Sequence, residues 1–112
     1  MKVLLRSFIP SLGMMLLAAG QGNAYSPTIR QVAPGLWRMI FTADNRPQSG
    51  WRSALWTAVS TDMHSWQVEG QLLGAESTNL YYAALVDDRL VFIRQDVGDS
   101  HRHLGIATVT MP

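Results

Sequence analysis

From Tyr25 onward the chain is written in period two, and that alternation decides what it can fold into. Residues that alternate between apolar and polar present one face of a strand to a core, and the 3.6-residue spacing of a helix is nearly absent. The runs read as strands are Thr28 to Ala33, Leu36 to Thr42, Arg52 to Ser60, Trp66 to Leu73, Asn79 to Val86, Arg89 to Gln95 and Leu104 to Thr110. Turn and loop composition separates them: Pro34-Gly35, Ala43 to Gly50, Thr61 to Ser65, Gly74 to Thr78, Asp87-Asp88 and Asp96 to His103. Glu69-Gly70 interrupts its run as a bulge would. Short strands joined by such turns predict an all-β antiparallel meander.

The first 24 residues follow different rules. Lys2 and Arg6 make a basic start, Phe8 to Ala19 is apolar apart from Pro10, Ser11 and Gly13, and Gly22-Asn23-Ala24 offers small residues for cleavage before Tyr25. This is the layout of a removable secretory signal helix. A spanning helix needs about 20 apolar residues, and the run here is shorter and broken by Pro10, so no stable membrane anchor is expected. The chain has no cysteine, which excludes a lipid-anchored lipoprotein. A secreted or periplasmic location follows as the expectation.

Two of the nine basic residues fall in that segment, which leaves seven Arg against eight acids in residues 25–112. No basic stripe exists, so nucleic acid is not an expected partner. A small exported domain without disulfides must be held by core packing or by association.

The meander repeats itself. WRMIFTADNRPQSGWRSALWTAVS and LVFIRQDVGDSHRHLGIATV share one plan: an apolar strand, an acid, a polar loop, then a strand carrying an alanine. Thr42 pairs with Gln95 and Ala58 with Ala107 in this alignment, a period of about 50 residues, the size of a β-propeller blade. On that reading residues 25–73 are a first blade of four strands and residues 74–112 a second of three, about one and three-quarter blades. Closed propellers have four to eight. The missing surface would be covered by further copies of the chain, or by further blades if the chain is a truncated gene product.

Ala58 through Gly70 contains S-x-D-x-x-x-W, in which Ser60, Asp62 and Trp66 are assigned to structure. Asp62 is placed to accept backbone N–H groups across the turn, and Trp66 to fold back as an apolar plug. Together with Trp37 to Ala43, this segment resembles the five-bladed β-propeller glycosidases of the arabinanase, levansucrase and invertase type. The turn lacks the glycine of a sialidase Asp-box and is one residue shorter. The resemblance implies a sugar-binding cleft and carboxylates drawn from several blades, so a chain with fewer than two blades would not complete the catalytic set.

In such a blade the loops between strands two and three, and between strands four and one, share the ligand face. Asp44, Asn45, Arg46, Trp51, Glu76, Asp96, Asp99 and His101 are expected there, and Asp62, His64, Asp87 and Asp88 on the opposite face. Glu76 and Asp44 are the candidate catalytic carboxylates, because glycoside hydrolysis needs one acid and one base or nucleophile. Trp51, Arg46, Asp96 and His101 are the candidate substrate-binding residues: an indole stacks on a sugar ring, and a guanidinium binds hydroxyls or carboxylates. His101 and His103 form an H-x-H pair without a third ligand of suitable spacing, so no metal site is assigned. No cofactor is expected. Two readings stand: a fragment of a glycoside hydrolase-like propeller with carbohydrate as its ligand, or a noncatalytic module that binds glycans or proteins.

Overall fold

The structure, a computed structural model, describes residues 21–109. The expected signal segment lies outside the described residues up to residue 20. The described residues form strands and turns with no helix: β1 (Asn23–Ala33), β2 (Leu36–Asp44), β3 (Ser53–Ser60), β4 (Gln67–Leu73), β5 (Thr78–Val86), β6 (Arg89–Asp96) and β7 (His103–Thr108). Each strand pairs antiparallel with its neighbour in sequence within two sheets, β1-β2-β3-β4 and β5-β6-β7. The all-β antiparallel meander expected from the alternation is the observed architecture.

The turns form where the composition places them. Pro34 presets its φ, and Gly35 takes a positive φ of 71° to close the β1–β2 hairpin. Asp87, at φ 57°, opens the two-residue turn between Val86 and Arg89. The β3–β4 ladder slips at Glu69, with Gly70 at φ 146°, which is the bulge that Glu69-Gly70 announced. The bulge serves a purpose: Glu69 there accepts two hydrogen bonds from the buried Arg38 guanidinium, at 2.8 and 3.0 Å, across the width of β3.

β1 starts five residues earlier than the sequence suggests. Pro27 has no N–H to give to a ladder. In the structure Ser26 and Pro27 form a bulge opposite Phe41, with Ser26 at φ 54°, and pairing resumes upstream of them. A bulged residue needs no ladder bond, so proline costs little there.

β2 and β3 are buried on both faces, and alternation splits their side chains between two cores. Met39, Phe41, Ala43, Trp56, Ala58 and Trp66 cluster on one face of the first sheet. Ile40 and Leu55 point the other way and pack with Leu80, Ala83, Leu90 and Phe92 of the second sheet. Burying an aliphatic side chain of this size stabilises by about 1.5–3 kcal/mol, so this second cluster fastens the two sheets together.

The two sheets are copies of one pattern. Tyr82 and Ala83 form a bulge opposite Phe92, as Ser26 and Pro27 do opposite Phe41, and Tyr82 takes φ 56°. Superposed on that bulge, Asn23 matches Asn79, Tyr25 matches Tyr81 and Leu55 matches Leu104. Asp44 then falls on Gln95, two positions from the Thr42–Gln95 pairing that the strand plan suggests, because the ladder rather than the loop length sets the register. Ala58 still matches Ala107.

The S-x-D-x-x-x-W turn sits at the end of β3. Asp62 Oδ1 accepts the N–H groups of His64 and Ser65, each at 2.8 Å, and Ser60 Oγ accepts those of Asp62 and Met63. The Ser60 hydroxyl in turn donates to Asp62 Oδ1 at 2.9 Å. The two backbone bonds and the Ser60 bond hold the Asp62 carboxyl down to about 2. Trp66 is buried against the outer core of the first sheet.

Candidate functional site

At the opposite end of the sheets, the loops 45–52 and 97–102 flank a cleft of about 470 Å³. Its organising residue is Asp44, the last residue of β2, which is 0 % exposed. Asn23 Nδ2 donates to its Oδ1 at 2.8 Å, and the Tyr25 hydroxyl donates to its Oδ2 at 3.0 Å. Arg46 adds its backbone N–H to Oδ1 at 3.1 Å and its guanidinium to Oδ2 at 2.6 and 3.0 Å. Burial pushes the Asp44 carboxyl up, but the bonds from Arg46, Asn23 and Tyr25 outweigh it and hold the group below the usual carboxylate range. Burial first, and then the bond to Asp44, push the Tyr25 hydroxyl well above its ordinary value. Asp44 is thus an ionised acceptor at neutral pH, with both oxygens occupied.

The bonds to Asp44 fix the Arg46 guanidinium. It lies over the Trp51 ring, 4.5 Å from its centroid, and 6.0 Å from that of Tyr25, within the range of cation–π attraction. The loop carrying Trp51 is tied back by Asn45 Oδ1, which accepts the Arg52 N–H at 2.9 Å. Arg52 donates to the carbonyls of Trp51 and Glu76, clamping this loop to the segment between β4 and β5.

Tyr81 and Tyr82 line the cleft from the second sheet, with ring centroids 5.7 Å apart. The bulge turns Tyr82 aside: its ring meets Tyr25 edge-on at 6.3 Å, while its N–H donates to Thr42 Oγ1. Arg102 stacks over Tyr81 at 5.3 Å. Asp96 lines the rim and accepts from Thr78 Oγ1 at 2.7 Å, and that bond first, then Arg94, holds it low. Asp99 is held low by the His101 N–H and then by His103.

The structure brings Asp44, Arg46, Trp51 and Asp96 together at one end of the sheets. Glu76 and His101 lie apart from that group. Glu76 is exposed, and its bond with Arg52 runs through its backbone carbonyl, not its carboxylate. His101 is mostly exposed, with Nδ1 3.4 Å from Asp99, and does not line the cleft. Among the described residues no three His, Asp or Glu side chains converge as a metal would require. The sequence reading passed over Tyr25, Tyr81, Tyr82 and Arg102. The signal for the tyrosines was present as a repeated Asn-x-Tyr, in Asn23-Ala24-Tyr25 and Asn79-Leu80-Tyr81.

The fold and site define an all-β protein of two repeated antiparallel sheets with an aromatic, arginine-bearing cleft at one end. No protein-family model matches the chain, and neither does any curated protein or solved structure. Among the described residues no helix is long and apolar enough to cross a membrane.

Proposed function

We propose that the cleft binds carbohydrate and that the chain is an exported, glycosidase-like β-propeller portion acting as a glycan-binding module. The observation that carries this reading is the stack of Arg46 on Trp51, anchored by the buried Asp44. Aromatic faces suit the apolar C–H faces of pyranose or furanose rings. A guanidinium and fixed amides suit their hydroxyls, and Asn79 and Gln95 line the same cleft. Clefts of about 300–1,000 Å³ take ligands the size of a short oligosaccharide.

Binding is favoured over hydrolysis. A glycosidase needs a carboxylic acid that stays protonated to serve the leaving oxygen. Asp44, Asp96 and Asp99 are all held below the ordinary carboxylate range, so each is suited to accepting hydrogen bonds and not to donating a proton. A chain exported as proposed would meet such a ligand outside the cytoplasm.

Affinity electrophoresis through gels containing arabinan, levan or cellulose derivatives tests the reading. The wild-type chain is expected to be retarded by at least one polysaccharide, and Trp51→Ala to run as in a blank gel with an unchanged circular dichroism spectrum. Equal mobility of wild type in every gel would sink it. Release of reducing sugar would restore the hydrolase reading.

A further inference from the structure

We infer that the sugar this cleft takes is acidic and that Arg102 holds its carboxylate, so that the ligand class is a uronic-acid saccharide. This rests on the carbohydrate reading of the cleft and adds to it the charge of the ligand and the residue that reads it.

The internal repeat places the same stack on both sides of the cleft. Tyr25 and Tyr81 are equivalent positions of the two sheets. Each lies under a guanidinium, Arg46 at 6.0 Å and Arg102 at 5.3 Å. Each arginine comes from the loop that follows the strand paired with its tyrosine, 45–52 after β2 and 97–102 after β6. All four residues line the cleft. The Tyr82 ring joins the two stacks, 6.3 Å from Tyr25 and 5.7 Å from Tyr81.

The two stacks differ in one group. In the first sheet the residue opposite Asn23 is Asp44, whose buried carboxylate binds Arg46 at 2.6 Å. In the second sheet the residue opposite Asn79 is Gln95. Its side chain is neutral, and its Nε2 donates to the Asp99 carbonyl at 2.8 Å. Arg102 is exposed, and no carboxylate of the described residues lies within ion-pair distance of it.

The acids on the rim are engaged elsewhere. Asp96 accepts from Thr78 and pairs with Arg94, and Asp99 accepts the His101 N–H and lies 3.1 Å from His103. Arg52 brings a further guanidinium that donates to main-chain carbonyls. With Asp44 set against Arg46 and Asp96 against Arg94, the cleft keeps Arg52 and Arg102 against Asp99, an excess of one positive charge. A stacked guanidinium keeps its N–H edge open, and that planar fork meets a carboxylate through two parallel hydrogen bonds. The repeat has kept the cation and dropped the anion. A uronate ring on the aromatic row supplies to Arg102 the carboxylate that Asp44 supplies to Arg46.

The test is isothermal titration of the chain with oligosaccharides of galacturonate, glucuronate and mannuronate, each beside its methyl ester, which keeps the ring and loses the charge. Neutral arabinan and levan oligosaccharides are titrated in parallel. At least one acid is expected to bind about tenfold more tightly than its ester, the scale of a hydrogen-bonded charge pair. Arg102→Gln should erase that preference and leave the affinity for the ester unchanged. Arg102→Lys, which keeps the charge and loses the fork, should fall between the two. Arg89→Gln removes the same charge from the β5–β6 hairpin at the far end of the sheets and should leave the preference intact. Should the Arg102 variants misfold, the ratio of acid to ester affinity in the wild type still decides the charge of the ligand. Equal affinity for acid and ester, or binding of the neutral oligosaccharides alone, would overturn the acidic ligand and leave the cleft a carbohydrate site. A preference that survives Arg102→Gln, or that Arg89→Gln removes equally, would overturn the role of Arg102. Binding of no sugar, charged or neutral, would remove the carbohydrate reading and this inference with it.

Discussion

Asn79 Oδ1 accepts the backbone N–H of Ser53 at 2.8 Å, tying the start of β5 to the start of β3 across the junction of the two sheets. Asn23, at the matching place in the first sheet, instead donates to the buried carboxylate of Asp44. One repeated side chain thus does two jobs. The second copy locks the sheets together beneath the cleft, and the first fixes the carboxylate that orients Arg46.

Asn79→Ala removes the acceptor and leaves the Ser53 N–H buried without its partner. A loss of roughly 1–3 kcal/mol in unfolding free energy is expected. Urea denaturation followed by tryptophan emission measures it. A change below the error of the extrapolation would show that the junction does not depend on this bond.

Asp44→Asn keeps the shape but removes the charge that five hydrogen bonds address. Bonds to a charged group are worth about 1.5–3 kcal/mol, and an amide retains part of that, so a loss near the lower value is expected. Arg46 should also leave the Trp51 face. The variant should therefore combine lower stability with a shift in tryptophan emission relative to wild type, whereas Arg46→Lys should reproduce the emission change with a smaller stability loss.

Acid should unlock the S-x-D-x-x-x-W turn. The Asp62 carboxyl sits at about 2 in the folded state against an ordinary 3.8. A folded value below the unfolded one means that its contribution is complete above about pH 4 and is lost as pH falls toward 2. Asp62→Ala should lower the melting temperature at pH 7, and the gap to wild type should narrow steadily between pH 4 and pH 2. Melting curves at stepped pH measure this. A gap independent of pH would mean that Asp62 acts through its shape alone.

Gly105 leaves room for Phe92. A Cβ at this position would overlap the Phe92 ring, which lies across the glycine on the neighbouring strand. Phe92 belongs to the core between the sheets and has little freedom to move. Gly105→Ala is expected to cost about 1–3 kcal/mol through overpacking, with Phe92→Leu in the same background recovering part of the loss. Thermal unfolding of the single and double variants decides it.

The alternation of apolar residues determined the strands, and Pro-Gly, Asp-Asp and the S-x-D-x-x-x-W segment determined where the chain turns, because those preferences act within a few residues. The residues that end β2 and occupy the following loop, Asp44, Arg46 and Trp51, were legible as a group for the same reason. Only the tertiary structure decided what they form. The burial of Asp44 and its bonds to Asn23 and Tyr25 depend on two strands meeting 21 and 19 residues apart, and the tyrosines of the second sheet line the cleft because that sheet packs beside the first. Register belongs to the same class: it aligned Asp44 with Gln95 and left Leu104 where Leu55 is buried. Strand propensity is a local property written in the sequence, whereas burial is set by which distant surface arrives to exclude water, and no single segment carries that information.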